Sequence, residues 1–164
     1  MSSSDRRAFL ALIAALPLAA CGFAPAYAPG GPATALRGRI ALQEPRNRDA
    51  FELVRRLQER LGPATAPRWR LAYTITTDDV GVAITPENAV TRYNIQGKID
   101  WTLTDTTTGT RVDGGRVSSF TSWSATGPTV AGLAAEEDAQ RRLMVILADQ
   151  IVTRLIAGAG AWAQ

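Results

Sequence analysis

The sequence predicts an α+β domain: a two-layer sandwich with two helices on one face of a four-stranded sheet, in the order β-α-β-β-β-α. Three observations carry that expectation. Residues 90–104 alternate, with Tyr93, Ile95, Ile99, Trp101 and Leu103 on one side and Arg92, Asn94, Gln96, Lys98, Asp100 and Thr102 on the other. That is the period of a strand with one buried face. Leu143, Leu147, Ile151 and Leu155 recur every four residues, the stripe of an amphipathic helix. A second helical pattern, residues 48–61, sits between the first strand-like run and the other three.

The chain opens with Asp5, Arg6 and Arg7, then Ala8 to Ala20, apolar apart from Pro17. This run is too short for a spanning helix, which needs about 20 residues. A basic start, a short apolar middle and small residues at the end predict a secretory signal peptide, residues 1–20. Its junction, Leu18-Ala19-Ala20-Cys21, resembles a bacterial lipobox, whose cysteine is acylated and becomes the first residue of the mature protein. Cys21 is the only cysteine. A thiolate is the nucleophile such a thioether needs, and acylation removes an otherwise unpaired thiol from a secreted chain. Two or three acyl chains anchor a protein where one binds only reversibly. Gly22, in place of an aspartate, suggests by the same resemblance transfer to the outer membrane. Arg6-Arg7-Ala8-Phe9-Leu10 also resembles a twin-arginine export signal, without the preceding serine or threonine, so both export routes stay open.

The elements then follow in order. Residues 21–35, with Pro25, Pro29, Pro32 and Gly30-Gly31, read as an acylated cysteine and a tether spanning roughly 40 Å when extended. The folded domain is expected at residues 36–158. Leu36 to Gln43 is a first strand by alternation of Leu36, Ile40 and Leu42. Arg48 to Leu61 is a helix with Phe51, Val54, Leu57 and Leu61 on its apolar side, capped by Asn47 or Asp49 and ended by Gly62-Pro63. Arg68 to Thr77 is a strand with Trp69, Leu71, Tyr73 and Ile75 on one face, prolonged through Val80 to Ile84 past a bulge at Asp78-Asp79. Residues 90–104 form the next strand, and Asp105 to Thr110 a hairpin turn. Arg111 to Ser124 is the last strand, with Val117 and Trp123 on one side and Phe120 on the other. A helix over residues 131–157, its stripe widened by Met144 and Ile146, stops at Gly158 and Gly160, leaving residues 159–164 as a tail.

Composition removes whole function classes. Without residues 1–20, 144 of the 164 residues remain, enough for one domain with a core. These 144 carry 16 basic and 14 acidic residues, too mild an excess for a nucleic-acid binder. Arginine outnumbers lysine 17 to 1, a bias that a GC-rich genome also produces. With no histidine in the chain, no Ser-His-Asp or Cys-His site and no His/Cys zinc site can be built. No catalytic residue, metal or cofactor is expected. Asp78-Asp79 reads as a turn, and Glu136-Glu137-Asp138 as acids stabilising a helix start. Gly114-Gly115 lacks the lysine and helix of a phosphate loop.

Several stretches together resemble one family. Cys21-Gly22-Phe23-Ala24-Pro25-Ala26-Tyr27 is similar to the mature start of the lipopolysaccharide-assembly lipoproteins, LptE. Thr91-Arg92-Tyr93-Asn94-Ile95 and Phe120-Thr121-Ser122-Trp123-Ser124 resemble two of its strands in alphaproteobacterial members, and residues 137–151 its final helix. The resemblance implies a non-catalytic outer-membrane lipoprotein on the periplasmic side. Its implied partners are lipopolysaccharide and the β-barrel translocon that inserts it, which the protein plugs and helps to assemble. Arg92, Lys98, Arg111 and Arg116, on or near the last two strands, are the candidate contacts to lipid phosphates. Two other classes leave different marks. A carrier of an apolar ligand needs a cavity between sheet and helices, and a carboxylate enzyme needs two acids converging in a cleft.

Overall fold

The computed structural model describes residues 26–163 apart from 87 and 127. The expected signal peptide and Cys21 lie outside the described residues. The elements are α1 (Pro32–Leu36), β1 (Ile40–Leu42), α2 (Arg48–Leu61), β2 (Trp69–Ile84), β3 (Val90–Asp105), β4 (Arg111–Ser124) and α3 (Thr129–Trp162). The sheet order is β1-β2-β3-β4, with β1 parallel to β2 and the other pairs antiparallel. A parallel neighbour needs a crossover, and α2 supplies it. The α+β sandwich is therefore present, with one short helix, α1, more than the sequence indicates.

The long strands put alternate residues on opposite faces. Trp69, Leu71 and Tyr73 of β2, Ile95, Ile99, Trp101 and Leu103 of β3, and Val117 of β4 are buried. They meet Leu143, Leu147, Ile151 and Leu155 of α3 in one core cluster that also includes Leu53 and Leu57 of α2. Each such side chain contributes about 1.5–3 kcal/mol on burial. Among the described residues, every buried core side chain falls between Leu36 and Ala159. The helix sits close on β3: a Cβ at Gly97 would lie 2.9 Å from Leu143 Cδ2 and 2.9 Å from Leu147 Cδ1. Only glycine leaves room for both leucines there. Charge links the helices as well. Arg56 grips Asp149 of α3 through two bonds of 3.0 and 2.8 Å, and Arg60 adds a third of 3.1 Å.

Several boundaries differ from the sequence reading. Leu36 is not the start of a strand; it ends α1 and is fully buried. Residues 26–36 are not extended either. Ala33 N–H donates to Ala26 O at 3.1 Å, Gly31 N–H donates to Ala28 O at 2.8 Å, and Arg60 donates to the Tyr27 hydroxyl at 2.7 Å. Asn47 does cap α2, accepting from Ala50 N–H at 2.8 Å, and Gly62 leaves it at φ +77°, a conformation glycine adopts without strain. Within α2, however, Phe51 is exposed and Leu53 takes the core place. The ladder runs unbroken through Asp78 and Asp79; its shifts fall later, at Gly81 to Ile84. Helix α3 starts at Thr129, so Glu136 to Asp138 lie beyond its first turn. There Glu137 pairs with Arg48, and Asp138 with Arg141 and Arg142. Ile146 is exposed. Gly158 and Gly160 do not stop α3, which continues to Trp162. Trp162 meets Trp69 edge-on at 5.1 Å and donates to Asp113 at 3.1 Å, so the expected tail belongs to the fold.

The hairpin between β3 and β4 forms as expected. The Asp105 carboxylate accepts from Thr107 N–H at 2.8 Å and Thr108 N–H at 3.1 Å. These two backbone donors, with Arg68 beyond them, hold its pKa below the usual aspartate range.

Two predictions follow from the packing. Leu36→Ala should destabilise residues 26–164 by about 2–5 kcal/mol in urea titrations, the cost of a core cavity, whereas a tether residue would show almost none. Because the folded pKa of Asp105 is depressed, its contribution is present above the unfolded value near 4 and is lost as pH falls through the folded value. The stability gap between wild type and Asp105→Asn should therefore shrink between about pH 5 and pH 2. A gap constant over that range would show that the carboxylate charge contributes nothing.

Candidate functional site

Both larger helices and α1 lie on the side of the sheet that carries the core, so the opposite face is open. Its middle is built by β3: Arg92, Gln96, Lys98 and Asp100 are exposed, and Asn94 and Thr102 partly so. On one flank β2 supplies Thr74, Thr76 and Asp78, and on the other β4 supplies Arg116, Ser118, Phe120, Ser122 and Ser124. The registers set the neighbours. Thr76 and Ser118 lie either side of Lys98, Asp78 and Phe120 either side of Gln96, and Ala83 and Ser124 either side of Arg92. Ser122 Oγ lies 2.6 Å from Asn94 Oδ1. The result is a face of hydroxyls, amides and charges with one aromatic ring, Phe120, 61% exposed on its β4 flank.

The four candidate cations share this face but do not form one cluster. Arg116 is engaged: its Nε and a terminal nitrogen donate to the two oxygens of Asp100 at 2.8 and 3.0 Å. That guanidinium holds the Asp100 carboxyl below its ordinary range. Lys98 and Arg92 have no hydrogen-bond or ion-pair partner among the described residues. They stand six residues apart, roughly 20 Å along the strand. Arg111 lies at the far end of the face, paired in register with Thr104, and donates from Nε to Asp113 O at 3.3 Å. Phe120 and the Asn94–Ser122 pair were not among the sequence candidates. The signal for Phe120 was present, since its parity already set it opposite Val117.

At Gly97 the layers are too close for an added methyl group. Clefts open at the β1 edge instead: one of about 560 Å³ on the outer rim, lined by Ala41, Leu42, Gln43, Arg70 and Ala72, and one of about 330 Å³ between β1 and α2, lined by Ile40, Leu42, Val54 and Gln58. Glu137, Asp138 and Asp149 of α3 are bound to arginines, and no three His, Cys, Asp or Glu side chains gather as metal ligands among the described residues.

Comparison with known proteins agrees with this geometry. The family model LptE, lipopolysaccharide-assembly, matches residues 38–155. The chain belongs to the LptE family. LptE proteins are non-enzymatic lipoproteins of lipopolysaccharide assembly that act with the lipopolysaccharide translocon. No curated protein matches at a significant level. Among solved structures, a lipoprotein from Caulobacter crescentus superposes with a TM-score of 0.66 at 19% identity, over 80% of this chain and 98% of that one. Rare lipoprotein B from Shewanella oneidensis gives 0.56 at 10% identity, over 73% and 92%. Lipoprotein B from Nitrosomonas europaea gives 0.57 at 12% identity, over 75% and 84%. At these identities the likeness establishes a shared fold.

One prediction concerns the charges of this LptE face. In Arg116→Ala, the Asp100 carboxyl should titrate at higher pH in an NMR titration, because the donors that depress it are gone. An unmoved Asp100 would mean that Arg116 is free to bind elsewhere.

Proposed function

We propose that this LptE protein is acylated at Cys21, sits on the periplasmic side of the outer membrane, and plugs and helps to assemble the β-barrel that inserts lipopolysaccharide. One observation carries the reading: a three-strand-wide polar face that none of the described helices covers. A barrel lumen is polar, so a plug needs hydroxyls, amides and charges on its surface more than an apolar patch. The open face supplies them on β2, β3 and β4. It also holds two cations without partners among the described residues, Arg92 and Lys98. These are the side chains available to lipid phosphates, whereas Arg116 is occupied by Asp100. No covalent chemistry is part of the role.

Expression with the signal intact in a Gram-negative host, followed by mild detergent extraction, should bring a large barrel with the wild-type protein. Phe120→Asp places a charge on the β4 flank of the open face and should weaken that association while leaving the fold intact, because the ring is exposed. Arg92→Ala with Lys98→Ala should lower lipopolysaccharide affinity of residues 26–164 by about tenfold, the worth of one charge-assisted bond. Unchanged affinity would remove both residues from the site.

A further inference from the structure

The two ends of the sheet differ in charge. At one end lie the starts of β1, β2 and β4 and the β3–β4 turn. Arg39 O accepts from both Arg68 N–H and Trp69 N–H, and Thr106 N–H donates to Arg68 O. In the next row Arg70 is in register with Ala41 and Thr104, and Thr104 with Arg111. Arg37, just before this row, runs its stem over Gly62. Five exposed arginines thus share one rim: Arg37, Arg39, Arg68, Arg70 and Arg111. The acids beside them, Asp105 and Asp113, are held by backbone N–H groups, with Arg68 on the first and Trp162 on the second. Toward the opposite end β2 carries Asp78 and Asp79, and the acids Glu137 and Asp138 of α3 pair with Arg48, Arg141 and Arg142.

The chain enters the fold at the basic end. Tyr27 is held by Arg60, one residue before Leu61, whose carbonyl accepts from Gly38 N–H. Only five peptide steps separate Cys21 from Ala26. At full extension they span no more than about 18 Å. If Cys21 carries acyl chains, the bilayer surface is within that distance of Ala26, and the arginine rim faces it.

We propose that this rim rests on the anionic phospholipid headgroups of the leaflet that holds the acyl chains. It is a second, electrostatic attachment that fixes how the domain stands on the membrane. Guanidinium forks match phosphate geometry. The attraction acts within a Debye length, about 8 Å at physiological salt, which a tether of roughly 40 Å would have placed out of reach. The proposal rests on the acylation reading for where the bilayer lies, but not for whether the rim binds phospholipid.

The test is co-sedimentation of residues 26–164, which lack the anchor, with vesicles of phosphatidylethanolamine and phosphatidylglycerol at 3:1. Binding is expected in low salt, with release in 0.5 M salt and none on vesicles of phosphatidylethanolamine and phosphatidylcholine. Arg39→Gln, Arg70→Gln and Arg111→Gln together should lower partitioning at least tenfold, since an arginine near an anionic surface is worth roughly fivefold. Arg68 is left intact because it pairs with Asp105 and stacks on Trp69. The control, Arg48→Gln with Arg141→Gln, removes charge from the helix layer, where both side chains are exposed and paired with acids, and should leave partitioning within about twofold. Equal binding by the triple variant and wild type, or an equal loss in the control, overturns the proposal. The mass of Cys21 in the protein from the native host and barrel co-purification report separately on the anchor and the plug.

Discussion

Leu143 and Leu147 of α3 rest against the bare backbone of Gly97 in β3. The whole arrangement depends on that contact. It lets a 34-residue helix, roughly 50 Å long, lie along the sheet without a gap. By composition and length α3 is apolar enough to cross a membrane, yet its apolar side is spent on the sheet, and Leu143, Leu147, Ile151 and Leu155 have no exposed surface. With α3 seated there and α2 tied beside it by Asp149, one face of the sheet is filled. The other face is then either wet or covered by another molecule. Its polarity allows both.

How much of this was legible in the sequence depended on the kind of signal. Strand alternation has period two, so one strong side chain fixes a face, and the faces of β2, β3 and β4 were read correctly from Trp69, Ile99 and Val117. Helix faces are less forgiving, because each residue turns the direction by about 100°. Phe51 stands about one such step from the buried Ala50, and Ile146 about one step from Leu147, off the edge of the leucine stripe. Both are apolar and close in sequence to core residues, and apolarity alone does not decide the angle. The helix ends failed for another reason. Gly158 and Gly160 lack side chains to hold a helix, but Trp162 beyond them is fixed by Trp69 and Asp113, and that tertiary contact outweighs the local preference.

For the open face, its location and its polar character were legible, and the grouping of its charges was not. Alternation sets Arg92, Lys98 and Arg116 on one face, whereas Arg111, five residues from Arg116, reaches that face only through the register shift between Leu103 and Thr104. Register separates them. Asp100 stands opposite Arg116 and occupies it, an arrangement that appears only once two strands are aligned. Proline and glycine in residues 21–35 pointed to an extended tether for a similar reason. Nothing local shows that Arg60 reaches Tyr27 or that Leu36 has a place in the core.

That last contact changes the mechanical relation between anchor and face. The N-terminal segment is fixed to the helix layer, through Tyr27 on Arg60 and α1 against α3. Arg60 also holds Asp149, so a pull on the N-terminus is borne by the joint between α2 and α3 and not by the sheet. Residues 26–36 therefore leave the outer sheet face clear. A molecule covering that face from β2 to β4 would not displace them. A tether emerging over the sheet would have competed with the partner for the same surface. The fold avoids this by spending a buried leucine, Leu36, and a tyrosine hydroxyl on the side that the partner does not need.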